Sequence, residues 1–330
     1  MSIVSTEVQP FDHLSQDLIL DAIESAGLLT SGVIYPLNSY ENRVYYVGID
    51  EARPVVVKIY RPDRWSLEQI NEELEFINEL DESENAVIAP LKINGQINGQ
   101  SYFEYKDYIF AIWPLKGGSP IELDNEEQLY LIGQKLGRIH LCAQKQKFEH
   151  RPTLSLLKQY QDFCEQFLKI EWIDGYLLEN FKQQFARILP HFERLDPIYE
   201  KCKKIRVHGD FHPGNIMIRD EEVFIVDFDD SYMGPAICDI WMLLSGEKFE
   251  HPNQLSEILE GYEIFLDFDR KELQFIDALQ TLRIMQHPVW IVNRWNDPAF
   301  KKAFSDIEHT NYWQRILNLI SGSFLEIEYL

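Results

Sequence analysis

The stretch Val207-His208-Gly209-Asp210-Phe211-His212-Pro213-Gly214-Asn215-Ile216 runs on to Ile225-Val226-Asp227-Phe228-Asp229-Asp230. Its polar residues are the types that phosphoryl transfer to a hydroxyl requires. One carboxylate orients the acceptor hydroxyl and takes its proton, and hard oxygen ligands hold a divalent cation against the phosphates. Asp210 and Asn215 lie five residues apart, and Asp227 follows twelve residues later, directly behind the apolar run Val223–Val226. Asp210 is therefore the candidate proton acceptor. Asn215 and Asp227 are the candidate magnesium ligands, with Asp227 counted beside Asp210 as catalytic. Gly, Asp, Asn and Pro also cluster in turns for backbone reasons alone. The joint spacing of the three polar residues, with strand-like segments between them, sets this stretch apart from an ordinary turn.

Upstream, Lys58 interrupts the apolar run Val55-Val56-Val57-Lys58-Ile59-Tyr60. Alternate residues of a strand share a face, so Lys58 points inward with Val56 and Tyr60. A cation there suits the α- and β-phosphates of ATP, provided a helix glutamate holds it. The helical pattern from Ser66 to Leu80 offers Glu68, Glu72, Glu73 and Glu75. At about 100° per residue, Leu67, Ile70, Leu74, Ile77 and Leu80 form one stripe. Glu73 falls inside it, whereas Glu72 and Glu75 fall outside. A carboxylate in an apolar stripe needs a cation, so Lys58–Glu73 is the expected pair and Lys58–Glu72 the alternative. The loop Leu37-Asn38-Ser39-Tyr40-Glu41-Asn42-Arg43 would cover the phosphates without any glycine. Ser39 and Asn42 can offer hydroxyl and amide groups to the nucleotide there; an ordinary polar hairpin loop is the alternative. The adenine would face main-chain groups of Trp113 and Leu115, because Pro114 has no N–H to donate.

These residues need particular elements to position them. Leu18, Ile19, Ala22, Ile23 and Ala26 recur at helical spacing and Gly27 supplies a stop. Val44–Val47 and Val55–Tyr60 read as strands joined by a turn over Asp50–Pro54, followed by the helix with Ser66 and Gln69 at capping-box spacing. Strand-like segments lie around Val87–Leu91 and Tyr102–Phe103, and Tyr108–Trp113 is a clear strand. Pro114 to Pro120, with two prolines and two glycines, reads as a linker. Asn125 to Ala143 is helical, several helices fill Thr153 to Lys203, and Ile205–Val207, Asn215–Ile218 and Val223–Val226 are short strands. From Ile237 the chain returns to helix. The expected fold is α+β and bilobal. It has a β-rich N-terminal lobe over 1–113 with a helical extension over 1–30, a hinge over 114–120, and a helical C-terminal lobe over 121–330.

Composition bounds the rest. A chain of 330 residues, 45% hydrophobic and 26% charged, has globular composition and room for two lobes. A net charge of −23 repels phosphate backbones, which argues against nucleic acid as a partner, and suits cationic ones. Cys142, Cys164, Cys202 and Cys238 show no CxxC spacing, so neither a zinc site nor a disulfide framework is expected. Met1 to Pro10 lacks the basic and apolar regions of a leader, and no apolar run approaches the ~20 residues of a membrane span. A cytoplasmic protein without membrane association is the expectation.

HGDFHPGN followed by IVDFDD resembles the aminoglycoside phosphotransferase and choline kinase superfamily, and within it a bacterial branch of Ser/Thr protein kinases. Further stretches carry the resemblance: Pro36–Tyr45, Val57–Pro62, His150–Thr153, Gly234–Ala236, Asp239–Leu244 and Arg294–Phe300. They span roughly residues 36 to 300, and the Leu-Asn-Ser-Tyr-Glu-Asn-Arg loop is the most specific. Asp227-Phe228-Asp229 stands where ordinary protein kinases have D-F-G, a departure from those enzymes. The resemblance implies a bilobal kinase-like fold, ATP and magnesium as cofactors, Asp210 as proton acceptor, and Asn215 with Asp227 on the metal. It also implies a monomeric cytoplasmic enzyme of the stress response acting on Ser or Thr of a protein. Asp239 would brace the catalytic loop, and His208 and His212 would be structural. A small cationic or amino alcohol of the choline, homoserine or aminoglycoside type is the alternative acceptor, and a nucleotide-binding scaffold without catalysis is a third reading. Trp290, Asn293, Arg294 and Trp295 are candidates for the acceptor pocket. Only eight residues separate Asp230 from Asp239, too few for a separate activation segment.

Overall fold

Alternating β-branched and aromatic residues build the first layer. The computed structural model describes residues 9–92, 100–220, 222–246, 248 and 250–323; positions 1–8 of the expected N-terminal extension lie outside them. Strands β1 (Thr30–Pro36), β2 (Arg43–Ile49), β3 (Val55–Ile59), β4 (Phe103–Tyr105) and β5 (Tyr108–Pro114) form an antiparallel sheet in the order β1-β2-β3-β5-β4. One face, with Val55, Val57, Ile59, Phe110 and Ile112, buries Leu18, Ile19, Ala22 and Ile23 of helix α1 (Gln16–Ser25). The other face meets helix α2 (Leu67–Glu82), whose stripe Ile70, Leu74, Ile77 and Leu80 is buried with Tyr60 and Ala111. The helix starts where the capping box places it. Ser66 Oγ accepts from Gln69 N–H, and the Gln69 side chain accepts from Ser66 N–H. Lys58 pairs with Val44 on one side and Ala111 on the other, so its side chain rises from the centre of the sheet towards α2.

Residues 115–118 connect this layer to the rest. Both ends of the expected linker are strands. Pro114 closes β5, and β6 (Ser119–Pro120) pairs with Ile218 and Met217 of the hairpin β8 (Ile216–Arg219) and β9 (Glu222–Ile225). The remainder is mainly helical: α3 (Glu126–Ala143), α4 (Leu156–Phe167), α5 (Gly175–Tyr199), α6 (Ile237–Ile240), α7 (His251–Tyr262), α8 (Ile276–Asn293), α9 (Pro298–Ala303) and α10 (Thr310–Ser323). Strand β7 (Ile205–Val207) pairs not with the hairpin but with β10 (Tyr232–Gly234), just beyond Asp227-Phe228-Asp229-Asp230. The two ends of the chemical stretch are thereby stitched together.

Two elements differ from expectation, and a third tolerates prolines within an expected helical stretch. Val87–Leu91 is not a strand. It makes one isolated parallel bridge from Val87 to Ile225, while Leu91 N–H donates to Ile112 O at 2.7 Å. Strand β1 was not visible in the sequence because it is an edge strand with few buried residues and no clean alternation. Helix α5 runs straight through Pro190 and Pro197. Its buried stripe Leu177, Phe181, Phe185, Ile188, Phe192, Leu195 and Tyr199 outweighs the backbone bonds the prolines remove.

Candidate active site

The candidate stretch is folded by backbone demands first. Gly209 has φ +83°, and a Cβ there would sit 2.2 Å from Asp230 O, so only glycine fits between the two halves of the site. Asp239, fully buried, accepts from the N–H groups of His208 (2.8 Å) and Gly209 (2.9 Å) and contacts His140 Nε2 at 3.0 Å. His140 Nδ1 in turn meets the Tyr262 hydroxyl at 3.0 Å. The imidazole of His208 accepts Asp210 N–H at Nδ1 (3.2 Å), which leaves Nε2–H to donate to Val226 O at 2.9 Å. His208 therefore ties the Asp210 segment to the Asp227 segment, and neither it nor Asp239 faces the cleft.

A cleft of about 850 Å³ opens between the sheet and the helical region. It is lined by the phosphate-loop candidates, by Val56, Lys58 and Glu73, by Trp113–Gly118, and by Asp210, Asn215 and Asp227–Asp230. Asn215 Nδ2 donates to the Asp210 carbonyl at 2.9 Å and stands 3.5 Å from Asp210 Oδ2. Asp227 adopts a left-handed conformation (φ 64°) and keeps its side chain 54% exposed in the cleft. A non-glycine residue held there is disfavoured by roughly 1 kcal/mol or more, and the turn aims its carboxylate at the cleft.

Lys58 Nζ lies 3.0 Å from Glu73 Oε1, 2.9 Å from Asp229 Oδ1 and 3.4 Å from Asp227 Oδ1. Burial pulls the Lys58 ammonium down, but Asp229 and Glu73 overcome it and hold the pKa well above the usual lysine value. Glu73 is buried in the helix stripe and takes Arg151 Nη2 on its second oxygen at 3.1 Å. Glu72 points the other way. It accepts from the N–H groups of Glu149, His150 and Arg151 and lines a separate hollow of about 460 Å³ behind α2. Asp229 had no role in the sequence reading, yet its carboxylate, flanked by Lys58 and Arg64, is held well below the ordinary range against the opposing effect of burial. Asp230 is pushed up to about 6 by burial and by Asp229, Asp210 and Asp227, with Arg64 opposing.

Asp210 is flanked on both oxygens. Arg283 Nη2 is 2.9 Å from Oδ1, and His212 Nε2 is 3.4 Å from Oδ2. Burial raises its pKa, but the His212 contact and the Arg283 charge outweigh that and lower it. The loop over the cleft is held partly by its own side chains. Ser39 Oγ donates to Asn42 O at 3.1 Å, and Asn42 Oδ1 accepts Arg61 N–H at 3.0 Å. Both residues line the cleft, but these groups hold the loop's own shape. At the hinge, Leu115 N–H makes a long bond of 3.4 Å to Pro54 O.

The same loop is fastened to the helical region. Glu41 accepts from Trp290 Nε1 (2.6 Å) and Arg294 Nη2 (2.8 Å) and pairs with Arg61 at 3.1 Å. Asp297 pairs with Arg43 (2.7 Å) and Arg61 (2.9 Å) and caps α9 through Ala299 N–H. Of the four acceptor-pocket candidates, only Trp290 lines the cleft. Arg294 serves the loop, Asn293 bonds Gln166, and Trp295 packs edge-on against Trp172. Arg283, Gln286 and His287 line the cleft beside Trp290. They escaped sequence reasoning because α8 carries no motif and its apolar residues surround it too evenly to mark a face.

The donor set can be tested against a divalent cation. Among the described residues no group of three His, Cys, Asp or Glu side chains forms a cage. Asp227 and the Asn215 amide oxygen, whose nitrogen is spent on Asp210, are two hard oxygen donors facing one cleft. That fits magnesium, which typically keeps waters and takes one or two protein oxygens alongside substrate phosphates.

Residues 33–276 match the phosphotransferase enzyme family, and the chain belongs to that family. It is a kinase-type transferase with a kinase-like fold. The curated relatives it resembles include Stress response kinase A of Escherichia coli O157:H7, 38% identical over 309 residues that cover 92% of this chain and 91% of that one. Serine/threonine protein kinase RdoA of Salmonella typhimurium (strain LT2) is 39% identical over 310 residues, again 92% of this chain and 91% of the relative. Among solved structures, amicoumacin kinase hAmiN superposes with TM-score 0.71 at 19% identity, covering 93% of each chain. Choline kinase LicA from Streptococcus pneumoniae superposes with TM-score 0.63 at 13% identity, covering 93% of this chain and 98% of its own.

Proposed function

We propose that the chain transfers the γ-phosphoryl group of ATP, with magnesium, to a Ser or Thr hydroxyl of a protein. One observation carries the reading: Lys58 held by Glu73, Asp210, Asn215 and Asp227 all converge on one cleft. Lys58 binds the α- and β-phosphates, and Glu73 keeps it placed. Trp113 and Leu115 flank the adenine at the hinge, with Ser39 and Asn42 above the phosphates. Asn215 and Asp227 hold the magnesium, which neutralises charge on the phosphate oxygens when bound. Asp210 orients the acceptor hydroxyl and takes its proton. The acceptor oxygen bonds to the γ-phosphorus as the bond to the bridging oxygen breaks, and that electron pair leaves with ADP. A monomeric state is part of the proposal. The boundaries 1–113, 114–120 and 121–330 are proposed for the lobes and hinge. Among the described residues no helix is long and apolar enough to cross a membrane. A part in the stress response follows the name of a relative, and a cytoplasmic location with ATP as donor is proposed with it.

A small-molecule acceptor is the second reading. It is favoured by the fastening of Tyr40–Arg43 to α8 and α9, which narrows the entrance to the cleft. Labelled ATP offered with protein acceptors and, separately, with choline, homoserine and aminoglycosides decides between them: label on small alcohols alone overturns the protein reading. Asp210→Ala is expected to abolish transfer while ATP still binds, and an active variant would sink the role of Asp210. Asp227→Ala is expected to weaken ATP binding only when magnesium is present; calorimetry showing wild-type affinity with the metal refutes its place as a ligand.

A further inference from the structure

Arg283 is the residue at the mouth of Asp210 that the phosphotransfer chemistry above does not use. It sits on α8 with Gln286, His287 and Trp290 at positions i, i+3, i+4 and i+7, so one face of that helix walls the acceptor end of the cleft. The other cleft-lining cations deeper in the site are committed. Lys58 is shared by Glu73, Asp227 and Asp229, and Arg64 by Asp229, Asp230 and Glu41. Among the described residues Arg283 has one ion-pair partner, Asp210, touched through Nη2 alone, and its side chain remains 41% exposed. A guanidinium carries five N–H donors in a planar fork matched to carboxylate and phosphate. The donors Asp210 does not take open onto the space where an acceptor must arrive.

The cleft's carboxylates give the same reading from the other side. Glu41, Glu73 and Asp229 are each held by at least two cations or donors, Arg64 takes Asp230, and Asp227, 54% exposed and 3.4 Å from Lys58, is the carboxylate the proposed magnesium would occupy. An ammonium on the acceptor would therefore meet Arg283 and find its best counter-charge, Asp210, already paired. An oxyanion beside the acceptor hydroxyl would be gripped by the free side of the fork. It would also draw Arg283 off Asp210 Oδ1, releasing that oxygen for the hydroxyl proton. We infer that Arg283 is a specificity-determining residue that selects acceptors bearing a carboxylate or phosphate next to the hydroxyl. This inference rests on the reading of Asp210 as the base. It runs against the cationic acceptors that the overall charge of −23 suggests, because pairing inside the cleft and not the exposed surface sets the local field.

The test uses two matched sets with the full chain, ATP and magnesium. One is a Ser peptide with Asp, Ala or Lys beside the Ser; the other is glycerate, glycerol and ethanolamine. The sets distinguish an acidic peptide from a small hydroxy acid. The expected result is a kcat/KM at least about 10-fold higher for the anionic member than for the cationic one in whichever set is used. Arg283→Gln is expected to bring that ratio close to one, and Arg283→Lys, which keeps the charge without the fork, to restore part of it. Binding of an ATP analogue to the same samples reports that the variants are folded. A wild type that favours the cationic member, or a preference that persists in Arg283→Gln, overturns the inference. If wild type phosphorylates neither set, it is the proposed transfer to these hydroxyls that has failed, and the role of Arg283 is read from binding alone. Equilibrium binding of glycerate, glycerol and ethanolamine to the analogue-loaded enzyme then decides the role of Arg283. Glycerate preference lost in Arg283→Gln upholds it, and absence of discrimination overturns it.

Discussion

For the proposed role Asp210 has to be charged and held still, and four neighbours supply those properties. His212 and Arg283 lower its pKa against the effect of burial, while His208 and Asn215 fix the backbone behind it. A depressed carboxylate stays ionised until the pH falls below its folded value. The acid limb of kcat/KM set by Asp210 is thus expected below the ordinary carboxylate range of about 4. Removing the Arg283 charge should move it upward, which a pH–rate profile of Arg283→Gln reads directly. Glu272 offers a stability test with the opposite sign. It is buried, accepts Ile237 N–H at 2.9 Å, and burial pushes it up to about 7. Its folded value exceeds the unfolded one. Its contribution is therefore fully present below the unfolded pKa and lost as pH rises through about 7. Glu272→Gln should accordingly be more stable than wild type near about pH 8, by on the order of 2 kcal/mol, with the gap closing towards about pH 4. Thermal unfolding at the two pH values checks it, and a variant no more stable at the higher pH contradicts it.

The catalytic loop owes its position to a contact between two helices that carry none of the chemistry. A Cβ on Gly133 of α3 would lie 2.1 Å from Ile258 O of α7, and one on Gly261 of α7 would lie 2.1 Å from Tyr130 O of α3. Both glycines let the backbones touch. That closeness brings His140 to Tyr262 and Asp239, and Asp239 to the N–H groups of His208 and Gly209. Gly133→Ala must push the helices apart or strain them, at a cost of about 1–3 kcal/mol. It should also lower kcat, because the strain arrives at the Asp210 loop. Unchanged kcat in a variant with reduced Tm would show that the brace and the loop are uncoupled. At this scale the sequence was legible where one local signal decides. The Ser66–Gln69 box starts α2 at Leu67, and Asn125 caps α3. It was not legible where a strand sits at a sheet edge without an alternating pattern, as for β1, or where a strand's partner lies far along the chain, as for β7 and β10.

Across the whole molecule the cleft is closed at both sides. Residues 115–118 join the lobes at one, and the group of Glu41, Arg61, Asp297, Arg43, Arg294 and Trp290, with Arg61 and Asp297 buried at its centre, joins them at the other. The loop over the cleft therefore needs no glycine: it is held by charge. Arg61 and Asp297 are about one-twentieth exposed, so the pair is desolvated, and removing one member strands the others. Asp297→Ala is expected to cost about 3–5 kcal/mol of stability and to raise KM for ATP more than it changes kcat, because the loop loses its anchor. Both Glu41 and Asp297 are held below their ordinary range, Arg294 offsetting burial for the first and Arg61 for the second. The latch should hold across the neutral range and open only below the ordinary carboxylate range of about 4. Chemical denaturation of Asp297→Ala alongside ATP kinetics tests the claim, and a variant with wild-type stability and KM would falsify it.

The sequence by itself determined the types and spacing of the chemical groups, because Asp210, Asn215 and Asp227 lie within one short stretch where backbone geometry is local. It also determined which face of β3 Lys58 occupies and which glutamate of α2 falls in the apolar stripe, because strand and helix periods are properties of the chain. Only the tertiary structure decided what surrounds those groups. Asp229 beneath Lys58, Arg283 against Asp210, and Asp297 under Arg43 and Arg61 are contacts between residues more than 70 positions apart. No periodicity encodes them. They exist because the core buries the helices in one arrangement, and burial makes each charge find a partner.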